Sequence, residues 1–168
     1  NKTEESTVIL NERKVRMKWV WLDYEMTGLS LNDDVVIEAA CIITNDELSE
    51  VIEGPDLVIS QTQEVMEQMR DWCKVHHGQS GLTQAVLNSN LSMAQAESQL
   101  IDFILKYVDT KPAILCGNSI HVDRSFMKKC MPNLDKLFHY RLMDVSVIKI
   151  LAHSWYPEVK PYEKKENH

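Results

Sequence analysis

At 168 residues and 44% hydrophobic composition, the chain has material for one domain with a proper core and needs no second. Its formal charge of −7 and pI near 5.3 argue against a protein that follows long duplexes by neutralising many phosphates, because that mode wants a basic stripe. No run is apolar enough to span a bilayer, no signal-peptide pattern opens the chain, and the four cysteines (Cys41, Cys73, Cys116, Cys130) lack C-x-x-C spacing, so a soluble protein of a reduced intracellular compartment is expected.

Residues 1–17 are polar and mixed in charge and read as an arm. The chain opens on Asn1 rather than Met, so the existence of a preceding segment, a targeting one included, stays open. Three strand-like runs follow, over 18–22, 35–44 and 48–60, the last interrupted by Gly54-Pro55, and their short Asn, Asp and Gly connections predict a meander. Helical segments are expected over 64–69, 71–77 and 82–87, with Gly78 and Gly81 as punctuation. The clearest helix opens at Ser92, where Gln95 completes a capping box, and carries Met93, Ala96, Leu100, Ile104 and Tyr107 on one core-facing side. Pro112 starts a strand through Cys116 that ends at Gly117-Asn118-Ser119, and 121–130 forms the next helix. After a short strand at 141–143, Asp144 is the expected N-cap of a helix over 145–153. Three consecutive strands, then strands alternating with helices, predict an α/β domain with a mixed sheet.

Asp23-Tyr24-Glu25 closes the first apolar run and leads into Met26-Thr27-Gly28. Side chains alternate along a strand, so Asp23 and Glu25 project from one face, and each raises the cost of ionising the other. A divalent cation removes that conflict, and hard oxygen ligands suit Mg²⁺ or Mn²⁺. The plain alternative is an exposed acidic strand end. Asp123, at the start of a helix just after a strand, is a second candidate ligand, since ligands in open α/β sheets gather at strand ends. Its plain alternative is a solvated Asp beside a helix N-terminus.

Taken together, these elements resemble the DEDD superfamily of 3′-to-5′ exonucleases, and within it the oligoribonucleases. The segments that carry the likeness are Trp21-Leu22-Asp23-Tyr24-Glu25-Met26-Thr27-Gly28-Leu29, Asp71-Trp72-Cys73-Lys74, His77-Gly78-Gln79-Ser80-Gly81-Leu82-Thr83, Gly117-Asn118-Ser119, His139-Tyr140-Arg141 and Asp144-Val145-Ser146. They run in order from about residue 18 to the end of the chain. The resemblance implies a ribonuclease-H-like fold, a homodimer, and trimming of very short RNAs, dinucleotides especially, from the 3′ end to 5′-mononucleotides. It also implies two divalent cations, Mg²⁺ or Mn²⁺, held by Asp23, Glu25, Asp123 and a final Asp, with His168 as general base. That fourth carboxylate is absent because the chain stops at His168. The expectation is therefore a chain that is weakly active or inactive as written, an exonuclease domain over 18–168 lacking its C-terminal end, with a flexible continuation past His168 favoured over a true truncation.

For the nucleotide, the resemblance points to Met26, Thr27, Gly28 and Leu29 beside the metal strand, with Leu29 as a wedge between bases. Trp72 and His77 would stack on or bond to the 3′ nucleotide, and Asn118 and Ser119 would meet the sugar-phosphate. Tyr140, Arg141 and Ser146 would cap a 5′ phosphate, with Tyr140 and Arg141 contributed across the dimer interface. Each has a plain structural alternative: Leu29 as core, Trp72 as a helix-face anchor, His168 as an exposed terminal histidine. The His76-His77 pair does not suggest zinc without further Cys or His spacing. Asp144 is preferred as a helix cap over a substitute metal ligand. Two other functions remain open, an exonuclease with broader single-stranded DNA or RNA substrates and a catalytically silent RNA-binding homologue. Mitochondrion and cytoplasm are both compatible with the sequence, and no membrane partner is expected.

Overall fold

The structure is a computed structural model that describes residues 19–108 and 113–160. The expected arm, Pro112 and the terminal stretch with His168 lie outside the described residues. Within them, five strands form one sheet: β1 (Trp19–Met26), β2 (Val36–Thr44), β3 (Val51–Val58), β4 (Ala113–Gly117) and β5 (Phe138–Asp144). Their order is β3-β2-β1-β4-β5. The β1–β2 and β2–β3 pairs are antiparallel, and β1–β4 and β4–β5 are parallel. This is the mixed, ribonuclease-H-like sheet that the sequence leads one to expect. The helices are α1 (Gln63–Glu67), α2 (Asp71–Gln79), α3 (Leu82–Asn88), α4 (Met93–Tyr107), α5 (Ile120–Cys130), α6 (Pro132–Asp135) and α7 (Val145–Trp155).

Period-two alternation decides which face of the sheet is covered. On β1, Val20, Leu22 and Tyr24 are buried, whereas Asp23 and Glu25 face outward. The buried set packs with Ala96, Leu100 and Ile104 of α4 and with Ile120, Phe126 and Met127 of α5. A smaller cluster of Ile37, Met66, Met69, Leu82 and Val86 anchors α1 and α3 to β2. Helix α4 carries the predicted capping box, with Gln95 N–H donating to Ser92 Oγ and Ser92 N–H to Gln95 Oε1. Tyr107, expected in the core, is exposed, because the buried stripe steps by four residues through Ala96, Leu100, Ile104 and Val108 and passes position 107 by.

Strands β1 and β5 run longer than the expected 18–22 and 141–143, and two further features differ from the sequence pattern. Strand β3 runs straight through Gly54-Pro55. It is an edge strand, where a residue without an N–H is tolerated, and a Cβ at Gly54 would run into the Phe103 ring and the Cys41 carbonyl. Helix α6 has no counterpart among the expected elements. It is one turn, with Pro132 at its start, and its first N–H groups at Asn133 and Leu134 donate to the buried Glu97 carboxylate at 2.6 and 3.0 Å. That cap comes from a side chain 36 residues away in sequence, which local pattern does not reveal.

Candidate active site

The two carboxylates of Asp23 and Glu25 stand on the central strand. Strand β1 extends past its neighbour: the last β1–β4 pair is Trp21 with Cys116, and β4 ends at Gly117. Backbone beyond that point needs another partner. Tyr24 N–H finds it in Asp123, whose Oδ1 accepts at 2.9 Å across 99 residues of sequence. Asp123 is only 6% exposed. A carboxylate from α5 is thus fixed to the β1 backbone at Tyr24, the residue between Asp23 and Glu25.

Burial is the main reason the Asp123 carboxyl is pushed up to about 6; the Tyr24 N–H opposes the rise, and the charges of Asp23 and Glu25 add to it. Glu38, which sits opposite Glu25 in the β1–β2 register, is pushed up to about 7, first by burial and then by the neighbouring charges and hydrogen bond of Asp56, with Glu25 and Asp23 contributing. Neither Glu38 nor Asp56 stands out in the sequence. A signal exists, since Glu38 shares the Asp23–Glu25 face once β2 is placed antiparallel to β1, but it requires the register.

Asp23, Glu25, Glu38 and Asp56 on one face, with Asp123 at the strand end, create a field that a proton or a cation relieves. The donors are all hard oxygens, which fits Mg²⁺ or Mn²⁺ and not a thiolate-seeking metal. Among the described residues no three such side chains are close enough to hold one ion by themselves. An ion at this face would need further ligands from water or phosphate, as Mg²⁺ commonly does.

Beside Glu25 opens a cavity of about 550 Å³ lined by Met26, Gly28, Leu29, Arg70, Trp72, Cys73 and His77. Leu29 is 71% exposed and Trp72 66% exposed, so neither fills core. The Trp72 ring lies on His76 at 3.8 Å and 21°, while His76 Nδ1–H donates to Trp72 O at 2.8 Å. The indole is held before any ligand arrives. His77 is buried, and its Nε2 lies 3.0 Å from Met26 O and 3.9 Å from Glu25 Oε2. A carbonyl only accepts, so Nε2 carries the hydrogen and His77 braces the end of β1 with the atom otherwise available to a nucleotide.

The turn after β1 is built around Asp34. Its Oδ1 accepts from the Thr27 hydroxyl at 3.0 Å and its Oδ2 from Ser30 N–H at 2.8 Å. Thr27 is buried, and its hydroxyl also accepts from Val35 N–H, so its side chain frames the turn instead of facing a ligand. A Cβ at Gly28 would collide with the Asp34 carboxylate. That close approach is why glycine stands there.

A second group gathers where β4 and β5 end. Asp144 caps α7 as predicted: its Oδ1 accepts from Ser146 N–H and from Ser119 N–H, each at 2.9 Å, and from the Ser146 hydroxyl. Although burial opposes it, these bonds together with His121 hold the Asp144 carboxyl below its ordinary range. Ser119 adopts a left-handed conformation, φ 53°, at the strand-to-helix junction. The sequence leads one to expect Ser146 to offer a free first-turn N–H to a phosphate. Instead both its N–H and its hydroxyl are taken by Asp144. Asn118 Oδ1 accepts from Lys149 Nζ at 3.4 Å. Tyr140 and Arg141 project from the edge strand, with the guanidinium 5.0 Å from the ring centre. Next to them α7 buries no residue, and Val147, Ile148, Ile150 and Trp155 are exposed.

The Exonuclease family model matches residues 20–168. A probable oligoribonuclease of Dictyostelium discoideum is 46% identical over 157 residues, covering 94% of this chain and 81% of that protein. The oligoribonuclease of Arabidopsis thaliana is 45% identical over 161 residues, covering 95% and 72%, and the mitochondrial oligoribonuclease of Homo sapiens is 44% identical over 149 residues, covering 89% and 63%. Among solved structures, product-bound exonuclease I superposes with a TM-score of 0.65 at 13% identity over 90% of this chain. E. coli exonuclease I with a dT13 oligonucleotide superposes with 0.62 at 15% over 88%. This chain spans about a third of those exonuclease I chains (35% and 32%), and at such identity they share its fold alone. Sequence kinship and sheet topology agree: the chain belongs to the Exonuclease family and, within it, to the oligoribonucleases.

Proposed function

We propose that the chain is a metal-dependent 3′-to-5′ exoribonuclease that reduces very short RNA oligonucleotides, dinucleotides above all, to 5′-mononucleotides. The observation that carries the reading is the buried Asp123 carboxylate, tied to Tyr24 N–H between Asp23 and Glu25. A fold has little reason to gather three mutually repelling carboxyls at one strand end unless a cation uses them. When bound, divalent cations polarise the phosphate, acidify water and offset charge on the leaving oxygen.

The remaining work falls to the chain's own side chains. Asp23, Glu25 and Asp123 hold the cations in place. Leu29 and Trp72 grip the terminal base in the cavity beside Glu25, and His77, by bracing Met26, keeps the strand end at the right depth. Met26 and Gly28 line the approach. His168, outside the described residues, is proposed as the group that accepts the proton from water. Asn118 and Ser119 contact the sugar-phosphate. The exposed apolar face of α7 and the adjoining β5 edge suit a second copy of this chain, which would bring Tyr140 and Arg141 over its partner's substrate to cap a 5′ phosphate. Ser146 joins that cap only by exchanging its bond with Asp144. No helix among the described residues is long and apolar enough to cross a membrane. Relatives named as mitochondrial support a mitochondrial location, with the cytoplasm as the alternative.

Cleavage of 5′-phosphorylated RNAs of two to seven nucleotides, with Mn²⁺ or with EDTA, tests this reading. Dinucleotides should be consumed fastest, only with metal, and Arg141→Ala should weaken dinucleotide binding far more than binding of a heptamer. Equal turnover of long RNA and single-stranded DNA would replace it with a broader exonuclease. Metal-independent binding without cleavage would mark a silent homologue.

A further inference from the structure

The cavity beside Glu25 has an apolar floor, and its polar equipment is unevenly divided. The Ser30 hydroxyl is committed to Asp33 at 2.7 Å, and His77 Nε2 to Met26 O at 3.0 Å. Arg70 differs. It occupies the N-cap position of α2 but makes no capping bond with its side chain. Its side chain is 66% exposed, and its one ion pair among the described residues is loose, Nε to Asp34 Oδ2 at 3.9 Å. Asp34 is already engaged by Thr27 and Ser30, so it orients the guanidinium without consuming its outer N–H groups. Arg70 lines the same wall as Trp72 and Leu29.

From this arrangement we infer that Arg70 is a base-selecting residue that gives the cavity a preference for guanine at the 3′ terminus. The inference rests on the exoribonuclease reading and adds to it the identity of the base. Its chemistry is that of a fork of donors at the edge of a stacking slot. A base held between Leu29 and Trp72 presents its rim to Arg70. Between the purines, guanine alone carries two adjacent acceptors, O6 and N7, that match a guanidinium bidentately. Adenine puts an N6–H₂ donor where O6 would be, and the guanidinium has no acceptor to meet it. Cytosine has an adjacent pair in O2 and N3, and in uracil an N3–H separates the two carbonyls, but both are single rings that cover less of the indole. A phosphate is the poorer occupant of this slot, because the walls are apolar and the carboxylate of Glu25 borders it.

The test uses the full chain with Mn²⁺ and four dinucleotides that share a 5′ nucleotide, pApG, pApA, pApC and pApU. The kcat/KM ratios are compared between the natural chain, Arg70→Gln and Arg70→Lys, and the Kd of each dinucleotide is measured with Ca²⁺ in place of Mn²⁺. The expected result is a preference for pApG over pApA of about fivefold or more. That ratio should collapse toward one in Arg70→Gln and stay low in Arg70→Lys, which keeps the charge but loses the fork. The Kd values should move in parallel, because selection occurs on binding. Ratios within twofold in the natural chain, or a guanine preference that survives Arg70→Gln, would overturn the assignment while leaving the exoribonuclease reading intact. Failure of all four to be cleaved or bound would remove both.

Discussion

Asp123→Asn should stabilise the metal-free protein at neutral pH while abolishing hydrolysis. In the folded state the Asp123 carboxyl is pushed up to about 6, against an ordinary 3.8. Below about pH 4 the group is protonated in both folded and unfolded chains and costs nothing. As pH rises toward 6 the unfolded chain ionises while the folded one resists, so stability falls; above 6 both are ionised and the full penalty persists. A carboxyl whose midpoint rises from 3.8 to about 6 on folding carries a penalty of about 3 kcal/mol. Asp23 and Glu25 are exposed and keep water near the carboxyl, so screening trims the figure to about 1–2 kcal/mol. Asparagine retains an oxygen for Tyr24 N–H and has no charge to desolvate. In EDTA at pH 8 the variant should therefore melt about 3–6 °C higher, with the gap closing toward pH 4. Adding Mg²⁺ should raise the Tm of the natural protein and not that of the variant, since a bound cation supplies the missing countercharge. Thermal denaturation followed by circular dichroism, at several pH values with and without Mg²⁺, reads all of this. An Asn variant that melts at or below the natural protein at pH 8 would refute the claim that Asp123 is held there against the interest of the fold.

Other substitutions probe the surroundings. Gly28→Ala drives a methyl into the Asp34 carboxylate and should cost about 1–3 kcal/mol in urea denaturation; in an Asp34→Ala background the same change should cost close to nothing, and strict additivity would contradict the contact. Trp72→Ala should leave the Tm within a degree or two, because the indole is largely exposed, yet weaken dinucleotide binding by about 1–3 kcal/mol in calorimetry. Glu97→Ala strands the Asn133 and Leu134 N–H groups and should destabilise the protein by about 2–3 kcal/mol with little change in KM. Ile150→Asp on the outward face of α7 should shift the sedimentation coefficient from dimer to monomer and reduce turnover of dinucleotides along with it.

What can be read from the chain beforehand follows how local its cause is. The Ser92–Gln95 capping box and the Asp144 cap depend on neighbours three residues apart or fewer, and both stand as the pattern predicts. The outward pairing of Asp23 with Glu25 follows from strand alternation alone. By contrast, the Glu38–Asp56 pair needs the β1–β2–β3 register, and the brace from His77 to Met26 spans 51 residues. Ser146 shows a subtler limit: its place in a first helical turn is legible, but Asp144, the local competitor for its N–H, reads in the sequence only as a cap. The apolar face of α7 is hidden for another reason. Its sequence is that of an ordinary core helix, and only placement at the sheet edge leaves it uncovered.

The bond from Tyr24 N–H to Asp123 also bears on when activity can arise as the chain is made. Its two ends are separated by 99 residues, and closing so long a loop is among the later events in folding. A ribosome that has released only the β1–β2–β3 meander and α4 has exposed Asp23 and Glu25 without their third member. Once α5 docks against β1, the same step that completes the hydrophobic core brings the last of these carboxylates into place. The acidic group at the end of β1 is therefore complete only once the sheet and α5 have come together, so its assembly is tied to completion of the fold.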